Sequence, residues 1–160
     1  ALVFTQMKHV ASRVSKKLEK AGIRSADIHG NKSQGARTRA LDGFKRNRFD
    51  ALVATDVAAR GLDVDDITHV FNYDLPMEAL TYVHRIGRTA RAGASGEAIS
   101  FCSSEDRSYL NAIEKLLGSS VPVDRDHDYH CEEALRSRRS PGRKNSGYNN
   151  RRGKRRSYRR

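Results

Sequence analysis

The 160-residue chain carries 31 Lys and Arg against 19 Asp and Glu, a formal charge of +12. Residues 136–160 hold 12 of those bases and no acid, so residues 1–135 balance 19 bases against 19 acids. A neutral body with a polycationic end excludes a uniformly basic nucleic-acid-binding globule, and the length suffices for one domain whose core needs no disulfide or structural metal.

In chain order, residues 1–4 are apolar and predict a buried strand. Val10, Val14 and Leu18 then repeat every four residues, predicting a helix that Gly22 closes. Residues 25–29 predict a second strand, and Ser33 or Gln34 opens a helix with Ala40, Leu41 and Phe44 turned inward. A third strand follows at 51–55, then a strand at 68–73, a helix at 78–84, a strand at 97–102 and a helix at 105–117. Five strands spaced by four helices imply an α/β fold, with right-handed crossovers in a mostly parallel sheet covered by helices. Ligands of such sheets sit at the carboxyl ends of the strands. The domain is expected to end at residue 123. Residues 124–160 follow as a tail whose last part is Arg, Ser, Gly and Asn with only Tyr148 and Tyr158 as aromatics, too little apolar surface to offset chain entropy. It is expected to be disordered alone.

The longest apolar runs, at 1–4 and 51–54, are far short of the roughly 20 residues of a membrane helix, so no membrane span is expected. No signal-like segment can be read, and Cys102 and Cys131 make no disulfide framework. Both readings point to reduced thiols in the cytoplasm.

Several attractive patterns fail. Residues 30–35 begin like a phosphate-binding loop, but Ala36 and Arg37 stand where Lys and Ser or Thr are needed. Asp124, Asp126 and Asp128 copy the start of a calcium loop, yet Tyr129 replaces its glycine and Leu135 its closing glutamate. His127, His130 and Cys131 lack a fourth ligand, and no metal site is expected.

Three polar clusters remain. ATDVAARGLD (54–63) follows an apolar strand and delivers hydroxyl, guanidinium, flexible backbone and carboxylate to the ligand edge of the sheet. HRIGRTAR (84–91) repeats arginine at 85, 88 and 91, and planar guanidinium groups suit the charge that builds up in phosphoryl transfer. HGNKSQGARTR (29–39) puts Gln34 and Arg37 at a helix start, where free N–H groups and the helix dipole attract phosphate.

In this order and at these separations the clusters resemble the second RecA-like domain of DEAD-box RNA helicases, nearest to the RhlE-like branch over residues 29–41. The resemblance covers residues 1 to about 120 and implies a RecA-like three-layer fold. It also implies ATP as the nucleotide, Mg2+ held mainly by a first lobe that this chain lacks, and single-stranded or short duplex RNA as partner. By that likeness Arg88 and Arg91 would reach the γ-phosphate, with Arg91 as the arginine finger, and His84 would link the lobes. Asp63 would accept from the ribose hydroxyls, Gly61 would allow close backbone approach, and Arg60 would couple ATP state to RNA grip. Gln34, Arg37 and Thr55 would hold RNA phosphates, with Gly30 letting the strand pass. Met7 departs from the family's Thr before Lys8, and Ala90 replaces a usual glycine. No Walker loop or Asp-Glu-Ala-Asp occurs, so the chain reads as the C-terminal piece of a longer enzyme and is not expected to be active alone. A non-catalytic RNA-binding scaffold of the same fold, or a DNA-directed relative, is the alternative. The tail would follow RNA backbone by charge, with steep salt dependence.

Overall fold

The computed structural model describes residues 1–60, 64, 67–89, 96–132 and 134. Strands and helices alternate among them as β1 (Leu2–Thr5), α1 (Lys8–Lys20), β2 (Ser25–Ile28), α2 (Gln34–Lys45), β3 (Ala51–Thr55), α3 (Asp56–Ala59), β4 (His69–Asn72), α4 (Ala79–Ile86), β5 (Glu97–Ser100) and α5 (Arg107–Leu117). Each expected element is present, and one is added. The polar segment after β3 makes a single helical turn, α3, with Asp56 in its first turn where a carboxylate favours the free N–H groups. The last strand stops at Ser100, which leaves Cys102 beyond the sheet.

The sheet runs β2-β3-β1-β4-β5 with every pair parallel. Alternation along each strand sorts the side chains into two faces. Leu2, Phe4, Leu52, Ala54 and Val70 pack with Ala40, Ala58 and Ala59, which sets α2 and α3 on one face. Val3, Val53 and Phe71 pack with Val10, Ala11, Val14 and Leu18, which sets α1 on the other. The four-residue repeat read from the sequence is thus the buried stripe of α1. On the Phe4 side, α4 joins α5 through Leu75, Tyr82, Leu110 and Ile113.

Helix ends follow from local chemistry. Gly22 takes φ +83° after α1, its N–H bonding Glu19 O at 3.0 Å while Ile23 N–H bonds Leu18 O at 2.9 Å. These two reversed bonds satisfy carbonyls that the helix itself leaves free. At the end of α2 the same pair forms from Asn47, at φ 56°, and Arg48, since asparagine tolerates the left-handed region. Inside α2, Gly43 is required by packing: a Cβ there would lie 2.5 Å from Phe49 Cε2.

Candidate functional site

All strands point the same way, so their carboxyl ends share one edge. From β1 the chain leaves to the α1 face, whereas from β3 and β4 it leaves to the opposite face. A crevice therefore opens in front of β1, where such sheets bind ligands. Its lining includes Phe4 from β1, Asp56, Ala59 and Arg60 from α3 and its end, and Thr81, His84, Arg85 and Arg88 from α4 and its end. Two motifs far apart in the chain, ATDVAARGLD and HRIGRTAR, thus meet across one cleft. Arg60 and His84 are exposed and Arg88 is half-buried. His84 and Arg88 lie four residues apart, so the turn that ends α4 stacks them on one side.

Arg85, which in sequence is one of three evenly spaced arginines, has a different position. Its side chain is 1% exposed and forms the floor of the cleft. Nε and Nη2 donate to the two carboxylate oxygens of Asp56 at 2.7 and 2.8 Å, and Nη1 donates to Asn72 Oδ1 at 3.1 Å and to the Asp74 carbonyl at 2.6 Å. The guanidinium also lies 5.1 Å from the centre of the Phe4 ring. The bidentate pair ties α4 to α3, and Asn72, fully buried, passes the network on to Ser100 Oγ at 3.0 Å. Burial with four of its five N–H donors bonded makes Arg85 a structural cation. Beyond Arg88, Thr89 is buried and donates its hydroxyl to the Ile67 carbonyl, anchoring the segment that leads onward from α4. Gly61, Asp63 and Arg91, with the Ala90 departure, lie outside the described residues.

The second group lies at the β2–β3 end of the same edge. Ser33 caps α2, its Oγ accepting from Ala36 N–H at 3.3 Å, and Gln34 follows as the first helical residue, exposed. Arg37 Nη1 donates to Gln34 Oε1 at 3.3 Å, so the two side chains act as a pair. Arg37 Nε is shielded from water and has no hydrogen-bond partner among the described residues. Gly30 is exposed, and a Cβ there would meet nothing within 4 Å among the described residues. Thr55, at the end of β3 opposite Thr5, is only 8% exposed and closes the sheet edge.

Sequence reasoning missed a polar network behind this group. Asp27 Oδ2 accepts from Ser12 Oγ at 2.6 Å and from His29 Nε2 at 3.1 Å, while Lys32 Nζ lies 2.6 Å from its Oδ1. The Asn31 N–H donates to His29 Nδ1 at 3.2 Å, so the ring carries its proton on Nε2. Serine, histidine and aspartate meet here, but around a single ring nitrogen, which differs from the relay in which serine and carboxylate hold opposite nitrogens. Burial pushes the Asp27 carboxyl up, but the hydrogen bonds from Lys32 and Ser12 and the charge of Lys32 outweigh it and hold the group below the ordinary carboxylate value. The signal was hidden because the partners come from α1, β2 and the loop after β2. Lys8 Nζ donates to Asn31 Oδ1 at 3.0 Å and fixes the start of α1 to the same loop. Met7, at the cap position of α1, offers no side-chain acceptor.

The cleft in front of β1 suits the phosphates of a nucleotide: Arg60, His84 and Arg88 supply donors on its walls. Among the described residues it does not suit the accompanying magnesium, because Asp56 is the only carboxylate of these that lines it and both its oxygens are held by Arg85. Among the described residues no group of three or more His, Cys, Asp or Glu is arranged to hold a metal ion.

A parallel sheet in this strand order, with singly placed cationic donors in front of its middle strand and a phosphate-compatible helix start beside them, fits the RecA-like helicase domain that the motifs resemble. Residues 1–93 match the helicase conserved C-terminal domain family, and the chain belongs to that family. It is 50% identical over 123 residues to ATP-dependent RNA helicase RhlB of Escherichia coli, a match covering 77% of this chain and 29% of that protein. It is 48% identical over 124 residues to DEAD-box ATP-dependent RNA helicase 21 of rice, Oryza sativa subsp. japonica, covering 77% of this chain and 17% of that protein. A crystal structure of the E. coli DEAD-box protein SrmB, bound to regulator of ribonuclease activity A, matches with a TM-score of 0.72 at 40% identity, over 75% of this chain and 71% of that one. The chain is thus a C-terminal RecA-like domain of the DEAD-box kind, and it spans less than a third of the two curated relatives.

Proposed function

We propose that this domain is the second lobe of an ATP-dependent RNA helicase that separates short duplexes locally when two RecA-like lobes close on ATP and RNA. The observation that carries the reading is the cleft where Arg60 faces His84 and Arg88 over a floor of buried Arg85 paired with Asp56. Phosphoryl transfer needs little covalent help from the protein but does need fixed positive charge at the transferred group. Arg88 is held for that purpose because the α4 end that carries it is pinned from below by Arg85. Arg91 follows it as the arginine finger, Asp63 takes the ribose hydroxyls, and Gly61 lets backbone approach the nucleotide. His84, exposed on the cleft wall, is placed to contact the first lobe, which supplies the magnesium ligands. Arg60 borders the same cleft and joins nucleotide state to RNA grip.

RNA lies along the β2–β3 end of the edge, its phosphates on Gln34 and Arg37 with Thr55 beside them and Gly30 leaving room for the strand. The unpartnered Arg37 Nε supports this, since a phosphate oxygen would satisfy it. The stretch 29–41 supports a place near the RhlE-like branch. Residues 136–160, with 12 bases and no acid, act as a salt-sensitive RNA tether.

Joining the chain to a first RecA-like lobe and measuring ATP turnover with and without RNA tests the reading. RNA should stimulate hydrolysis, and Arg88→Ala or Arg91→Ala should each lower turnover by about 10³-fold, the scale of a lost arginine finger. Unchanged turnover in both variants would refute the assignment, and RNA binding without hydrolysis would make the protein a scaffold.

A further inference from the structure

The proposed ATP and RNA sites leave one strongly charged surface unused. Along α1, His9, Arg13, Lys16, Lys17 and Lys20 are all exposed, at intervals that keep them on the side opposite the buried Val10, Ala11 and Val14. With Ser12 they line a single groove on the outside of the helix. From position 9 to position 20 the helix rises about 17 Å. Among the described residues no carboxylate forms an ion pair with any of the five, although exposed bases elsewhere, such as Arg24 with Asp50, do pair. An unneutralised stripe in a body whose charges sum to zero is a local device.

The chemistry of the groove selects its occupant. A protein partner would be met by aromatic or arginine anchors in a desolvated centre, and lysine is depleted from such surfaces. The groove is lined by three lysines with a single arginine and no Trp, Tyr or Phe. What remains is attraction between a row of cations and a row of anions, as in contacts to nucleic-acid backbone. The row also has a direction. Its first turn begins at the carboxyl edge, where Lys8 is bound to Asn31, next to Gly30 and the start of α2.

We propose that the outer face of α1 is a second phosphate track, along which an RNA strand leaving the Gly30–Gln34–Arg37 edge continues over Arg13, Lys16, Lys17 and Lys20. This rests on the reading that RNA crosses that edge. It adds sequence-independent length to the RNA site and no base recognition.

The test uses the whole chain and a short fluorescent oligouridine, with affinity measured from about 50 to 200 mM salt. Three proteins are compared with the parent: Arg13→Gln/Lys16→Gln/Lys20→Gln on the stripe; Arg46→Gln/Arg48→Gln/Lys115→Gln, which removes the same charge from exposed positions elsewhere; and Gln34→Ala/Arg37→Ala at the edge. Removing three phosphate contacts should reduce the log–log salt slope by about 2, at roughly 0.7 per contact on a single strand. The stripe variant is expected to show this flattening and the charge-matched variant is not. Equal flattening in both would reduce the effect to net charge and overturn the track, as would an unchanged slope in the stripe variant. A stripe variant that keeps its RNA slope but loses affinity for poly-glutamate would give the face to an acidic protein segment and overturn it too. If the edge variant binds like the parent while the stripe variant does not, the edge reading falls and the α1 face stands as an independent site.

Discussion

Replacing Arg85 tests whether the cleft floor is structural. In Arg85→Met the aliphatic length is kept and the four hydrogen bonds that Arg85 donates go: two to Asp56, one to Asn72 Oδ1 and one to the Asp74 carbonyl. Asn72 is fully buried, and its orphaned acceptor costs about 1–3 kcal/mol. The Asp56 side chain is 32% exposed and regains water, which holds the loss toward the lower end of the roughly 3–5 kcal/mol typical of a broken buried pair. A loss of about 3–4 kcal/mol is a large part of the roughly 5–15 kcal/mol that stabilises a domain, and corresponds to a fall in Tm of about 10–15 °C. Asp56→Leu, which strands a buried guanidinium instead of a half-exposed carboxylate, should cost at least as much. The double variant Arg85→Met/Asp56→Leu should lose less than the two single losses combined, because neither charge is then left alone. Urea unfolding of all three, beside exposed Arg60→Ala as a reference within about 0.5 kcal/mol of the parent, decides the matter. A loss below about 1 kcal/mol in Arg85→Met, or strict additivity in the double variant, would refute the claim that the pair holds α4 to α3.

Asp27 gives a pH dependence. Its carboxyl is held below the ordinary value of 3.8, so the folded chain binds fewer protons near that pH than the unfolded one. The stabilisation is complete above the unfolded value and is lost as pH falls through the lower, folded one. Asp27→Asn should destabilise by about 1.5–3 kcal/mol near neutrality, the scale of hydrogen bonds to a charged group, and the gap from the parent should shrink below about pH 4. Denaturant midpoints at several pH values show this, and a constant gap would exclude the linkage. Met7→Thr, by contrast, supplies the acceptor that the α1 cap lacks; it should raise stability by about 1 kcal/mol, visible as a higher Tm, and no change would mean that the threonine hydroxyl does not reach the first-turn N–H groups.

Sequence periodicity located every strand and the four longer helices because each signal is local. Four apolar residues in a row, or an apolar residue at every fourth position, state which side of an element avoids water before anything is said about what it packs against. The Gly22 end of α1 was legible for the same reason, since a left-handed residue is a property of one position, whereas the matching Asn47 end of α2 emerged only from the backbone. The short α3 was not legible: four residues carry no periodicity, and its turn is fixed by Asp56 reaching Arg85 on another helix.

Sequence alone also set the division into a neutral body and a polycationic tail, and its motif wording pointed to the helicase family to which residues 1–93 belong. Tertiary structure decided what each charge does. Arg85 and Arg88 are the same residue three positions apart, yet one is sealed beneath the cleft and the other stands on its wall. Ser12, Asp27 and His29 form a network only because β2 lies beside α1. The basic stripe of α1 became a surface only once its apolar side was seen against the sheet. Burial and partnership are long-range quantities, set by which elements meet, and a residue's neighbours in sequence do not contain them.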